Sequence, residues 1–373
     1  MTIYWLIDEI EAPEGVAAWN EHPYVHIAHT AKLEAWRQAA VLIKDSQLVA
    51  FPTETVYGLG ANALDSLALQ KVFAAKNRPL DNPLIAHIAD MPQLDMLTTQ
   101  VSPLEMRIME TFWPGPLSIL LPARSDLPQE LTANLPQVAV RMPAHELALG
   151  LIRAVGKPLA APSANLSGRP SPTSGMHVLE DLAGRIAGVI DGGNCHVGIE
   201  STVIEVQGGD DARIIILRPG AIDEHALSQF GVPVELDPHL QHRDTDAVPR
   251  APGQKYRHYA PKGSLQVVFC DDEEIFWEYA KEQVGMARAQ GKKIALLTNE
   301  REIGADVVLP LGHTPTEAAS RLYRILRECD QAQVEVMLAR GFATATAEGI
   351  EDPATVALLN RLYKASGGQF IHF

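Results

Sequence analysis

Apolar positions along this chain alternate between two periods. After Ala31, residues Leu33, Trp36, Ala40, Leu42 and Ile43 recur at helical spacing, and the short apolar run Leu48 to Phe51 then reads as a strand. Ser66 to Lys76 is predicted as a helix with Asp65 as its N-cap. Leu84 to Ile88 is the next strand, and others are predicted at Leu117 to Leu121, Val138 to Arg141, Val189 to Asp191, Ser201 to Val206 and Arg213 to Leu217. Helices around Glu105 to Phe112, Glu146 to Ala154 and Met176 to Leu182 separate several of them. This order predicts a mixed-sheet α/β domain over 29–234.

Residues 235–262 turn polar, are punctuated by Pro238, Pro249, Pro252, Gly253 and Pro261, and show neither period, which predicts a linker. Beyond it come a strand at Leu265 to Cys270, a helix at Glu273 to Gln290, and strands at Lys293 to Thr298 and Asp306 to Leu309. A helix at Pro315 to Cys329 and a strand at Val334 to Ala339 complete a smaller, Rossmann-like α/β domain over 263–373. Residues 1–28 carry five acids and no Lys or Arg, so they are expected to be a loosely attached extension.

Composition narrows the class. An apolar fraction of 46% over 373 residues is ample for two or three folded domains. No apolar run approaches the ~18 residues of a membrane span, and the acidic N-terminus is unlike a signal peptide. Cys195, Cys270 and Cys329 match neither a metal spacing nor a disulfide framework, which points to a reducing cytoplasm. The net charge of −15 argues against a surface devoted to nucleic acid, although Arg250, Lys255, Arg257 and Lys262 form an acid-free basic stretch.

Five segments carry candidate chemistry, each beside a plainer reading. In FPTETVYGLGANA, Gly58, Gly60 and Ala63 satisfy a loose dinucleotide fingerprint, with Asp81 roughly where a ribose-binding acid would stand. Five residues, Pro52 to Val56, intervene where a Rossmann turn is immediate, and tight-turn glycines are the plainer reading. Thr53, Glu54 and Thr55 follow a strand, where open α/β sheets bind ligands. Lys76 and Arg78 end a helix before Pro79, Asn82 and Pro83; they are ordinary dipole partners or a stiff corner suited to a triphosphate. PLAAPSANLSGRPSPT sets Ser163, Asn165, Ser167, Arg169 and Ser171 after an apolar run, as capping residues or as donors to phosphate. Arg141 and Arg218 end apolar strands, as structural ion pairs or as ligand groups. In APGQKYRHYAPKG, basic and aromatic residues alternate inside the linker, either solvated or as an arm over a nucleotide site. There is no G-x-x-x-x-G-K-[ST] loop, G-x-S-x-G elbow or H-E-x-x-H helix.

Taken together, FPTETVYGLG, KNRP with DNPLIAHIAD, WPGPLS, VAVRMPAH, AAPSANLSGRPSPT, GIESTVIEV, LRPG and APGQKYRHYAP resemble the threonylcarbamoyl-AMP synthase family in its long, two-domain form. The match is dense from Leu48 to Lys262 and returns at NRLYKASGG. It departs at Gln254 for Met, at Ser118 for Thr, and more widely at GIEDPATVALLNR. The resemblance implies a twisted α/β domain with a concave cavity, a linker across its mouth, and a Rossmann-like C-terminal domain. It implies synthesis of L-threonylcarbamoyl-adenylate from ATP, L-threonine and bicarbonate, with Mg²⁺ accompanying ATP and no protein side chain ligating the metal. A downstream tRNA threonylcarbamoyltransferase would take the product; direct tRNA contact stays open. By position it assigns Thr55, His87, Arg141, Ala161 and Ser201 to threonine, and Arg78, Asn82, Ser163, Ser171, Arg218 and Tyr259 to ATP. Lys76, Arg78, Ser163 and Asn165 are the implied catalytic group. An NAD-type oxidoreductase and an RNA-binding module of the same fold are the alternatives.

Overall fold

The computed structural model describes residues 1–208, 211–240, 250–251, 258–299, 303–342 and 352–373. Linker residues Pro249, Pro252, Gly253, Gln254, Lys255, Tyr256 and Arg257 lie outside them. The chain divides into two compact units, Met1–Ser167 with Ser171–Tyr256, and Gly168–Pro170 with Arg257–Phe373.

The first unit is built on twelve strands: β1 (Thr2–Ile7), β2 (Val25–Thr30), β3 (Val49–Phe51), β4 (Gly58–Asn62), β5 (Ile85–His87), β6 (Leu117–Pro122), β7 (Gln137–Arg141), β8 (Leu159–Ala160), β9 (Gly188–Asp191), β10 (Thr202–Gln207), β11 (Arg213–Arg218) and β12 (Val234–Leu236). They form one mixed sheet in the order β12-β11-β10-β6-β7-β5-β8-β4-β3-β9-β1-β2. Helices α1 (Lys32–Lys44), α2 (Ser66–Lys76), α3 (Pro103–Phe112), α4 (Gln129–Thr132), α5 (Glu146–Val155), α6 (Gly175–Leu182) and α7 (Glu224–Ser228) connect them. The sheet has a core on each face: Tyr4, Tyr57, Phe73 and Ile119 belong to one, Trp5, Phe51, Ile43 and Leu151 to the other. Asp65 caps α2 as expected, its carboxylate accepting from the N–H groups of Leu67 and Ala68.

Two expectations are corrected here. The segment 1–28 is not a loose extension. β1 lies between β9 and β2, parallel to both, and Tyr4 and Trp5 are fully buried. The apolar run of Thr2–Ile7 has no polar alternation because both faces of this strand are covered, while the five acids fall in the connection to β2. Trp5 donates Nε1–H to Gln38 Oε1 at 2.8 Å, and its ring fills the space over Gly188, where a Cβ would sit 2.3 Å away.

The glycine fingerprint is not a Rossmann turn either. Gly58 and Gly60 lie within β4, antiparallel to β3, with Phe51 opposite Gly58 and Val49 opposite Gly60. A Cβ at Gly60 would approach the Phe51 ring to 2.7 Å, so glycine makes room for an aromatic ring here. No strand-to-helix phosphate turn forms at these glycines, which removes the basis of the oxidoreductase alternative.

The second unit carries a five-stranded, all-parallel sheet in the order β15-β14-β16-β13-β17. Its strands are β13 (Ser264–Phe269), β14 (Ile294–Leu297), β15 (Val307–Leu309), β16 (Val336–Arg340) and β17 (Phe370–His372); α8 (Glu273–Ala289), α9 (Pro315–Gln331) and α10 (Thr355–Ser366) join them. Helix α10 and β17 were not anticipated from the pattern. Tyr259 lies in this unit, buried and stacked on Tyr323 at 5.1 Å between ring centroids, with the Arg361 guanidinium 5.7 Å from its ring. No helix among the described residues is long and apolar enough to cross a membrane.

Candidate functional site

Sheet order decides which strand-terminal residues meet. β5 and β7 run parallel, with His87 opposite Arg141. β6 is antiparallel to β7, which returns its first residues to that same end. β10 runs parallel to β6, with Val203 opposite Ser118, and β11 is antiparallel to β10, with Arg218 opposite Val203. Arg218, Ser118, Arg141 and His87 thus share one end of adjacent strands, although they are remote from one another in sequence.

The side chains interlock there. Arg141 donates from Nη1 to Thr55 Oγ1 at 2.9 Å and from Nε to the Gly115 carbonyl at 3.2 Å. Its Nη2 stands 2.7 Å from Glu54 Oε2. That ion-pair contact is misaligned for a hydrogen bond, so Nη2 and both Glu54 carboxylate oxygens complete none among the described residues. Burial raises the Glu54 carboxyl pKa, but the charge and close donor of Arg141, with the Ala144 backbone N–H facing the carboxylate, outweigh burial and hold the group below its ordinary value. Arg218 donates Nη2–H to Ser201 Oγ at 2.9 Å, and the Ser201 and Ser118 hydroxyls lie 2.9 Å apart.

His87 is buried, with Nδ1 3.2 Å from the Ile85 carbonyl. Since that oxygen can only accept, Nδ1 carries the proton and Nε2 is the acceptor of the neutral ring. Burial first, and the Arg141 charge second, push the imidazole down to about 3. Ala161 follows β8 and donates its N–H to the Ile85 carbonyl at 3.0 Å. A Cβ at Gly58 would lie 3.1 Å from the Ala161 methyl, so both small residues keep this wall thin.

The expected catalytic group gathers separately, around the end of α2. Lys76 is 2% exposed, and its Nζ donates to the carbonyl oxygens of Ser163 and Asn165, the latter at 2.5 Å. The ammonium therefore ties the 163–165 turn to the helix. Ser163 Oγ donates to Asn165 Oδ1 at 2.6 Å. Arg78 braces the following corner through the Asn82 and Pro83 carbonyls, at 3.2 and 2.8 Å. Asn82 is buried, and its Oδ1 completes no hydrogen bond among the described residues. A bridge between Gly58 and Ser163 links this corner to the loop bearing Glu54 and Thr55. Ser171 donates to Glu200 Oε1 at 2.6 Å.

Tyr259 belongs to the second unit, whereas the residues of these two groups belong to the first. Glu54, Ser118 and Glu200 are site residues to which the sequence pattern assigns no role. The signal for Glu54 is a carboxylate three residues beyond the end of a short apolar strand.

Known proteins bear on this geometry. The family described as "Telomere recombination" matches residues 41–220, and the one described as "Threonylcarbamoyl-AMP synthase, C-terminal domain" matches 222–367. A threonylcarbamoyl-AMP synthase of Bacillus subtilis is 44% identical over 340 residues, covering 90% of this chain and 93% of the relative. One of Pyrococcus abyssi is 42% identical over 343 residues, covering 91% and 97%. The crystal structure of P. abyssi Sua5 complexed with L-threonine superposes with a TM-score of 0.86 at 38% identity, covering all of both chains. The chain belongs to the threonylcarbamoyl-AMP synthase family.

Proposed function

We infer that this chain condenses ATP, L-threonine and bicarbonate into L-threonylcarbamoyl-adenylate and pyrophosphate, the activated donor for threonylcarbamoyladenosine in tRNA. The observation that carries this reading is the convergence of Arg141, Thr55, His87 and the Ser201–Arg218 pair at one end of the sheet, with the corner of Lys76 and Arg78 linked to the Thr55 loop through the Gly58–Ser163 bridge. The relative crystallised with L-threonine supports the amino-acid half.

In this reading, Arg141 takes the threonine carboxylate, because a planar guanidinium matches a carboxylate with two parallel donors. Thr55 and Ser201 offer hydroxyls beside it, Ala161 forms the thin wall, and neutral His87 presents Nε2 as an acceptor for the threonine hydroxyl. Bicarbonate and the threonine ammonium group form a carbamate with loss of water and one net proton. A carbamate oxygen then attacks the α-phosphorus of ATP, and the bond to pyrophosphate breaks. Such a step needs positioning and charge neutralisation rather than a covalent nucleophile. Arg78 and Arg218 supply charge to the nucleotide, with Asn82, Ser163 and Ser171 as neutral partners. Lys76 works by holding the turn of Ser163 and Asn165, since its own donors already face inward.

Mg²⁺, when bound with ATP, would screen phosphate charge. The donors in this corner are cations, amides and hydroxyls, a set that fits the phosphate face of a metal–ATP complex. A tRNA threonylcarbamoyltransferase would consume the product, and a reducing cytoplasm suits the three free cysteines. Pyrophosphate release from ATP tests the reading when L-threonine and bicarbonate are omitted in turn. Release that needs both supports it; release without either, or none from folded protein, overturns it.

A further inference from the structure

The buried carboxylate beside Arg141 has no part in the roles just assigned. Its main chain is fixed: the Glu54 carbonyl accepts from Val197 N–H at 2.9 Å, and Thr53 Oγ1 lies 3.2 Å from both the Thr55 and Val56 nitrogens. The side chain is only 2% exposed, so solvent does not satisfy it. Buried carboxylates ordinarily gather several well-aligned donors, whereas the donors facing Glu54, Arg141 Nη2 at 2.7 Å and the Ala144 N–H, are too poorly aligned to complete a hydrogen bond of good geometry. The carboxyl stays ionised at neutral pH because the charge of Arg141 outweighs burial. Two imidazoles sense the Glu54 charge, His87 and His145, and burial drives both toward the neutral form. Neither supplies a competing cation.

We propose that Glu54 is the counter-ion for the α-ammonium group of the substrate, and that an amino-acid zwitterion inserts between Glu54 and Arg141. This rests on the reading that Arg141 takes the carboxylate. The charge balance explains why a misaligned pair would be kept. A buried ion pair is costly to break by removing one partner, because the other charge is stranded. An α-amino acid brings one charge of each sign, so Arg141 exchanges Glu54 for the substrate carboxylate while Glu54 gains the ammonium. The net charge of the cluster is unchanged. A hydroxy acid would satisfy Arg141 and strand Glu54, which makes the pair a filter for α-amino acids over their hydroxy analogues.

The test is calorimetric titration of the full chain with L-threonine and with the 2,3-dihydroxybutanoate of matching configuration, in which a hydroxyl replaces the amine. The unaltered protein is expected to prefer L-threonine by at least about tenfold. In Glu54→Gln, L-threonine should weaken by about tenfold or more while the hydroxy acid holds or gains, collapsing the preference. A purely structural role for Glu54 would weaken both ligands alike, and that result overturns the proposal. If Glu54→Gln fails to fold, the unaltered protein still decides, since equal affinity for the two ligands overturns it too. L-Threonine binding that Glu54→Gln leaves intact removes this proposal alone. Absence of L-threonine binding to the unaltered protein removes the substrate assignment, and the proposal with it.

Discussion

Arg218 grips Ser201 at two points, with Nε on its carbonyl oxygen at 3.0 Å and Nη2 on its hydroxyl at 2.9 Å. The fork fixes both the backbone and the side chain of the residue just before β10, and Ser118 completes the row at 2.9 Å from the Ser201 hydroxyl. A lysine keeps the charge but cannot span both oxygens. Arg218→Lys should lower kcat/KM at least about tenfold, the weight of one charge-assisted hydrogen bond at about 1.5–3 kcal/mol. Pyrophosphate release under saturating and limiting L-threonine measures it, with circular dichroism checking that the sheet persists.

Lys76 and Arg78 are two residues apart and should fail differently. The Lys76 ammonium is enclosed and spent on carbonyls of the 163–165 turn, so Lys76→Met leaves buried acceptors unmet. Its melting temperature should fall by about 3–12 °C, taking roughly 1.5–3 kcal/mol at 2–4 °C per kcal/mol for a unit of this size. Arg78 is half-buried and braces a surface corner. Arg78→Ala should lose at least about tenfold in activity with a much smaller thermal shift. Differential scanning fluorimetry beside the turnover assay separates the two behaviours.

Trp5 supplies the test of the N-terminal strand. Its indole is fully buried in the sheet and donates to Gln38. Trp5→Ala should cost about 3–5 kcal/mol, typical of a large aromatic truncated in a core, read as a lower urea midpoint with an unchanged slope. A loosely attached segment would show no change.

What was legible divides along physical lines. Helix α2 and its Asp65 cap follow from local signals, namely an apolar period and a short polar side chain at the right offset. Strands β6, β7, β10 and β11 were also visible as apolar runs. β1 was not, because charge counted over the whole segment 1–28 hid a short run buried on both faces. β4 was not anticipated, because its glycines read as tight-turn residues or, less well, as a phosphate turn, whereas the Phe51 ring that requires Gly60 lies across a hairpin. Identities such as Arg141 and Ser201 could be singled out by residue type. Their meeting could not, since it depends on β10 pairing with β6, a contact between strands that β7, β8, β9 and three helices separate along the chain. The inward use of Lys76 was equally hidden, as a cation at a helix end looks alike whether it faces solvent, phosphate or carbonyl groups.

His87 provides a pH test whose sign follows from its burial. The folded ring is pushed down to about 3, against 6.5 for the free side chain. Between those values the unfolded chain binds a proton that the folded chain refuses, so stability rises with pH up to about 6.5 and is lost as pH falls below it. Above 6.5 the ring is neutral in both states and contributes no slope. Glu54, with its pKa held below its ordinary value, adds its own acid-side loss only at lower pH, while His145, also lowered by burial, contributes below pH 6.5 in both proteins, so the difference from His87→Gln isolates the His87 share. Within that window the ring should contribute a slope of up to about 1.4 kcal/mol per pH unit. Urea unfolding at pH 5, 5.5, 6, 7 and 8 measures this, and His87→Gln should flatten the acid limb by about one proton's worth while leaving the slope above pH 7 unchanged. The same neutrality means that kcat/KM should show no ionisation from His87 across pH 5 to 8, as its role there is that of an acceptor. Parallel acid limbs in the two proteins would mean that His87 titrates normally in the fold and already carries a proton at pH 5.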